Sequence, residues 1–180
     1  MKKFLPILLL APLVIGLDQW TKYWVTQHIP LGGKVVVWDG FFDFVHLKNP
    51  GAAFSMLADW DSHLRNNFFL GVSFIAMLAL IVLYIKTKPV ERRVQIPLAL
   101  IFGGAIGNLI DRLVQGEVTD FLFFHWRDKI ADFTLLGKHF RFALSWPAFN
   151  VADSAITCGA VFLVGLVMFG ASDSEKPKKA

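Results

Sequence analysis

Four stretches of this chain, roughly Phe4–Gln19, Phe68–Ile85, Val94–Ile110 and Phe149–Gly170, are apolar almost throughout. Each is near the ~17–25 residues that a helix needs to cross a bilayer. Hydrocarbon offers no hydrogen bonds to a peptide backbone, so spanning segments of this kind must be helical. The whole chain of 180 residues is 55% hydrophobic, with a mean hydropathy of +0.53. That is too apolar for an ordinary soluble domain. With flanking polar residues completing the shorter runs, the expectation is one integral membrane domain over residues 1–180. Its spans would lie at about 4–22, 68–85, 94–112 and 149–170.

The basic residues give this bundle a direction. Lys2 and Lys3 precede the first run, Lys86, Lys88, Arg92 and Arg93 crowd the short link between the second and third, and Lys176, Lys178 and Lys179 close the chain. With four spans these clusters share one side. The excess of basic residues in short cytoplasmic segments then places both termini in the cytoplasm. Nucleic-acid binding does not account for this charge, which flanks helices instead of striping a folded face. Met1–Leu10 has the look of a secretory signal, but no small-x-small cleavage site follows, so an uncleaved first helix is expected. The single cysteine, Cys158, excludes an internal disulfide and reads as packing within the fourth span.

Between the first two spans, Lys34–Trp38 and Phe41–Lys48 are β-branched and aromatic runs separated by Asp39-Gly40, a hairpin signal. Asn49-Pro50-Gly51 then enforces a turn. The fold class expected is therefore all-α, four transmembrane helices with a small antiparallel sheet within 34–58 on the outer, periplasmic side. The polar stretch Asp59–Asn67 would cap the second span. The second outer segment, 117–147, is rich in phenylalanine and tryptophan and is expected to form an aromatic belt at the lipid interface. The charged, proline-containing end, 172–180, reads as a disordered cytoplasmic tail.

Polar residues gather at one end of three spans. Asp18 and Lys22 stand at i, i+4 and make a possible ion pair. Gly104, Asn108 and Asp111 share a helix face, with Arg112 next to them. Gly103 and Gly107 form a small-xxx-small pair for close helix approach. Asn150, Asp153 and Thr157 form a stripe on the fourth span, for which Ser145-Trp146-Pro147 offers a cap and an early proline. The plain reading of such a group is a hydrogen-bonded network that pins helices together. Asp120 and Asp153 fit it least, because neither has a cation at local spacing and charge at membrane depth is costly.

Chemistry narrows the choice. No serine lies beside a histidine or lysine within a span. The five histidines, His28, His46, His63, His125 and His139, fall near span ends or in connections, where surface or interface positions are expected. No helical metal-ligand motif exists, so no metal and no cofactor are expected. Two aspartates remain. One, ionised, would take a proton from water, while the other, protonated, would hydrogen-bond a scissile carbonyl. Asp153 lies in the first turns of a helix, whose positive end favours the ionised form, though a coupled pair titrates as a unit.

The motifs Asp18-Gln-Trp-Thr-Lys22, Asn49-Pro-Gly-Ala-Ala-Phe54, Gly103-Gly-Ala-Ile-Gly-Asn-Leu-Ile-Asp-Arg112, Val118-Thr-Asp-Phe121 and Phe149-Asn-Val-Ala-Asp-Ser154 resemble, in this order, those of the lipoprotein signal peptidase (signal peptidase II) family. The resemblance implies a multi-pass aspartic endopeptidase of the bacterial inner membrane, sensitive to globomycin, with its site near the periplasmic face. It would cut diacylglyceryl-modified prolipoproteins on the amino side of the lipidated cysteine. The catalytic pair maps onto Asp120 and Asp153. Supporting positions map onto Asp18, Lys22, Asn49, Gly51, Asn108, Asp111, Arg112 and Asn150. The partners implied are lipid-modified prolipoproteins and membrane lipids; the protein itself is expected to be a monomer. One departure is a longer stretch between Phe121 and Trp146, which brings Asp128 and a rival Asp-Phe pair at Asp132.

A small proton-coupled transporter using Asp111 and Asp153 is the reading from another class. It needs polar residues along a whole path, and apart from Gln95 the cytoplasmic halves of the spans have almost none.

Overall fold

The computed structural model describes residues 2–51 and 61–169. A short 3₁₀ turn, Lys2–Phe4, leads into α1, Leu5–His28. Strands β1, Lys34–Trp38, and β2, Phe42–Asn49, follow. Next come α2, Ser62–Lys86, and α3, Arg92–Gln115. Strands β3, Val118–Leu135, and β4, Lys138–Ser145, precede α4, Val151–Phe169. All four helices are long and apolar enough to cross a membrane.

The helices run past the apolar stretches. α1 continues to His28, because Trp20, Tyr23 and Trp24 keep its outer turns suited to a lipid interface. α2 begins at Ser62, where Asp61 caps it by accepting hydrogen bonds from the backbone N–H groups of His63 (2.9 Å) and Leu64 (3.4 Å). α3 stops at Gly116, whose φ of 78° admits the left-handed cap and whose N–H reaches Arg112 O at 3.1 Å.

α3 is the axis of the bundle and packs against α1, α2 and α4. Glycine makes the close approach possible. A Cβ on Gly103 would lie 3.0 Å from Ala11 and Val14 of α1, and one on Gly104 would collide with the Ala152 carbonyl of α4. The small-xxx-small pair thus serves α1, while its neighbour Gly104 serves α4. The outward sides of α2 and α4 are uncovered Leu, Val, Ile and Phe side chains, for which lipid is the matching solvent. Cys158 faces outward too, so it is exposed and not part of the packing expected of it.

The two termini of the helical layer differ sharply. At one end Tyr84 Oη donates to Lys3 O at 2.9 Å and Lys3 Nζ donates to Ile85 O at 2.5 Å, tying the chain start to the basic α2–α3 link. The sheet sits at the other end, where α1 and α3 contact β3.

That sheet is larger than expected. The Asp39-Gly40 hairpin forms, with β1 and β2 antiparallel. The aromatic stretch 117–147, expected as an interfacial belt, folds into a long hairpin, and the strand order is β1-β2-β3-β4. Pairing between distant segments, Phe42 with Phe124 and Asn49 with Val118, supplies the ladder that no local turn signal announced. The part of the expected sheet from 52 to 58, residues 59–60 and the tail at 172–180 lie outside the described residues.

Candidate active site

The expected cap of the fourth helix is displaced. β4 runs through Ser145, and Phe149 still pairs with Leu122, so the chain is extended until Asn150. Asn150 then starts α4. Its Oδ1 accepts from the Asp153 N–H at 2.9 Å, while Asp153 Oδ2 accepts from the Asn150 N–H at 3.2 Å. This is a reciprocal capping box, with Asp153 as its acidic member. A carboxylate at this position satisfies an orphan N–H and meets the positive end of the helix, so its place in an apolar segment is physically supported.

Asp120 comes from β3, where it pairs with Leu47 across the ladder. It is 3% exposed. Asn49 Nδ2 donates to its Oδ2 at 2.9 Å and Asn150 Nδ2 donates to its Oδ1 at 2.8 Å. Asn150 therefore touches both acids, Asp120 through its side chain and Asp153 through its backbone. Burial pushes the Asp120 carboxyl up to about 6; the nearby charge of Asp153 adds to the rise, and the amide donors of Asn49 and Asn150 oppose it.

The amides have little freedom to turn. Gly51 N–H donates to Asn49 Oδ1 at 2.9 Å, which leaves Asn49 Nδ2 for Asp120. Gly51 is required there: its φ is 89°, and a Cβ would run into the Phe69 ring. Asn108 Oδ1 accepts from Lys22 Nζ at 3.0 Å and from Asn150 Nδ2 at 3.1 Å, so Asn108 Nδ2 points to Asp153 Oδ1 at 2.7 Å. Lys22 in turn sits between two acids, 2.8 Å from Asp18 and 3.0 Å from Asp111. The i, i+4 pair is real and buried. Asp18 also accepts from the Ala152 N–H at 2.9 Å, and Asp111 from the Thr119 N–H at 3.0 Å. α1 thereby holds the start of α4, and α3 holds β3 next to Asp120.

Arg112 lies near the same acids. Its guanidinium lies over the Phe69 ring at 5.4 Å from the centroid, within electrostatic reach of Asp153, Asp120 and Asp111. Each of the ten positions singled out in the sequence is thus found at one end of the bundle. Thr157 is not: it is exposed, one turn beyond the network. Asp132 is also elsewhere, on the distal hairpin, solvated and paired with His139 at 2.8 Å. The side chain of Asp128 lies outside the described residues.

Two participants went unnoticed in the sequence, and a third, His46, was expected elsewhere. Gln19 Nε2 lies within 3.0–3.1 Å of Asp111, Asp18 and Gly107 O, joining α1 to α3. Its place inside the Asp18–Lys22 motif was the available signal. Asp43, 1% exposed, binds Lys34 at 3.2 Å and lies 3.3 Å from His125, bracing three strands. His46 is buried and bonds Ile29 O at 2.8 Å through Nδ1, contrary to the surface position expected. A β-bulge between Phe44 and Leu47 turns it inward. Gln95 is fully buried and donates to Lys88 O at 2.6 Å, which makes it a clasp on the α2–α3 link and not a step in a path. Among the described residues no cluster suited to a metal ion occurs.

Known proteins bear on this geometry. Residues 10–169 match the family profile described as "Signal peptidase (SPase) II". The lipoprotein signal peptidase of Syntrophus aciditrophicus (strain SB) is 42% identical over 163 residues, covering 91% of this chain and 92% of the relative. That of Xanthomonas campestris pv. campestris (strain 8004) is 40% identical, covering 96% and 92%. A bacterial membrane enzyme solved by the in meso method at 2.3 Å superposes with a TM-score of 0.74 at 29% identity, covering 97% of this chain and 93% of that one. None of these relatives supports the transporter reading. Motif order, profile, relatives and fold converge, and the chain belongs to the signal peptidase II family.

Proposed function

We propose that this protein is an aspartic endopeptidase that removes the signal peptide from diacylglyceryl-modified prolipoproteins, with Asp120 and Asp153 as its acid–base pair. The observation that carries this reading is the shared residue Asn150, which ties a strand-borne and a helix-borne carboxyl into one site. A protein stabilised only by polar pins has no need to keep a second acid, with its carboxyl pushed up to about 6, beside the first.

Of the two acids Asp120 is the one that keeps a proton up to a pH of about 6, because burial favours its neutral form, and Asp153 at its helix terminus is placed to carry the charge. A water between them attacks the scissile carbonyl. Asp153 accepts the water proton as Asp120 hydrogen-bonds, then protonates, the carbonyl oxygen. Collapse of the tetrahedral intermediate returns a proton to the leaving amine, that of the lipidated cysteine. Lys22, through Asn108, fixes the direction from which Asp153 is held. Arg112 balances the charge of the pair.

The basic link and chain start at the far end of the bundle support a cytoplasmic position for that end, and hence a periplasmic face for the sheet in the bacterial inner membrane. Substrate acyl chains stay in lipid, so substrate arrives sideways, and globomycin is expected to compete with it. The test is cleavage of a prolipoprotein by the purified protein, with and without the diacylglyceryl group. Asp120→Asn and Asp153→Asn are expected to abolish cleavage of the lipidated form. Full activity in either variant removes that residue from the chemistry.

A further inference from the structure

The distal β3–β4 hairpin does nothing for the cluster just described. Among the described residues β4 packs on β3 and on no other element. Its register sets Ala131 opposite Phe142 and Asp132 opposite Arg141. Alternation along the strands then separates two faces. One carries Phe133 and Phe142, whose rings meet at 6.1 Å, each about half exposed. The other carries Asp132 with His139 at 2.8 Å and Arg141 at 3.9 Å, a solvated ion pair.

The apolar face continues toward the bundle. Phe124, Trp126, Phe142, Leu144 and Trp146 line an open groove of about 500 Å³. At its inner end Phe124 stacks on Phe149 at 5.9 Å, one residue before the α4 cap. The base of the hairpin, where the Trp146 N–H also reaches Phe124 O at 2.8 Å, is therefore anchored beside the start of α4. The tip is apolar too. Leu136 is 95% exposed and holds a φ of 51°, followed by Gly137 at 75°. Both turn residues being left-handed makes a two-residue hairpin turn for which Asn-Gly is the usual choice in water. A leucine there is unfavourable in backbone, and its exposed side chain is unfavourable in solvation unless the tip meets an apolar medium. Between residues 127 and 141 the hairpin carries four basic residues against two acidic ones.

We propose that the distal hairpin is a membrane-surface plate: its Phe133/Phe142 face lies on the bilayer interface, Leu136 inserts among acyl chains, and its basic excess meets anionic headgroups. Aromatic and leucine side chains over basic stems suit that boundary. The partner is the phospholipid surface itself, so the inference stands apart from the peptidase reading.

Spin labels decide it. Cys158 is the only cysteine, so single-cysteine variants in a Cys158→Ala background, R141C, F142C, L136C and H139C, can be labelled and reconstituted in phosphatidylethanolamine–phosphatidylglycerol vesicles. Oxygen, which partitions into lipid, is expected to relax labels at 136 and 142 several-fold more than an aqueous nickel chelate does, with the reverse at 139 and 141. Equal access of the chelate to 141 and 142 overturns the proposal, as does shielding of 142 from both reagents, which would mean a protein cover. The 141/142 pair suffices alone if L136C fails to fold, and retained prolipoprotein cleavage reports an intact site. Omitting phosphatidylglycerol should draw the 142 label toward water; an unchanged depth removes the headgroup part of the proposal.

Discussion

Asp120 and Asp132 lie on the same strand, each followed by phenylalanine, yet they live in different media. Asp120 is 3% exposed and receives two amide hydrogen bonds within a site shared with Asp153. Asp132 keeps a side chain 52% exposed and pairs with His139 and Arg141, which are more exposed still. The difference teaches that an Asp-Phe pair carries no chemistry of its own. What matters is whether other elements close over the carboxyl, remove its water and aim donors at it. β3 touches α1 and α3, and its start is bonded to Asp111 of α3 through Thr119 and to Asn150, while its distal half pairs only with β4. The same strand therefore holds a desolvated acid at one end and an ordinary surface acid at the other.

The sharpest way to break this contrast is to neutralise each acid without changing its shape. Asp120→Asn and Asp153→Asn are each expected to lower prolipoprotein cleavage by about 10²–10⁴-fold or more, while circular dichroism shows an unchanged helix content. Cleavage near the wild-type rate in Asp120→Asn would leave the two aspartates equivalent.

Cations give the next largest effect. Lys22→Met strips the partner from two buried carboxylates, Asp18 and Asp111, and should cost about 3–5 kcal/mol in a mixed-micelle unfolding titration. Arg141→Met, on the exposed hairpin, should stay within about 0.5 kcal/mol. Equal losses would show that burial does not separate the two ends of the sheet.

A pH profile sharpens the comparison further. The Asp120 carboxyl is raised to about 6 from the usual 3.8, so it is neutral below the higher value and ionised above it. If it must carry the proton, kcat/KM falls as pH rises through about 6. Folding stability declines over the same direction between the two values, because there the folded state binds the proton more tightly. Asn49 stabilises the ionised form, so Asn49→Ala should move the falling limb to higher pH. A limb that stays in place would detach it from Asp120. The smallest effect belongs to Asp132→Asn, expected to change cleavage less than twofold and stability by less than about 0.5 kcal/mol.

Much of this was legible in the chain. Four apolar runs fixed the helices, and i, i+4 spacing announced the Asp18–Lys22 pair that now measures 2.8 Å. Local glycine chemistry announced the Asp39-Gly40 hairpin and the close approach at Gly103. The β3–β4 hairpin escaped notice, because its aromatic residues suit an interface and a strand equally well and its ladder to β2 joins residues as far apart in the chain as Phe42 and Phe124. The start of α4 escaped too. Pro147 looked like a helix opener, but the pairing of Phe149 with Leu122 holds the chain extended for three residues more.

Periodicity and hydropathy act over a turn or a span, so the sequence by itself determined that this is a helical membrane protein with its polar residues at one end. It also determined which aspartates stand in costly places. Which groups touch was decided by the tertiary structure alone. The link from Asn49 through Asp120 and Asn150 to Asp153 joins two strands and a helix. Hydrogen bonds are directional over about 3 Å, and no local pattern specifies a contact between segments that far apart in the chain.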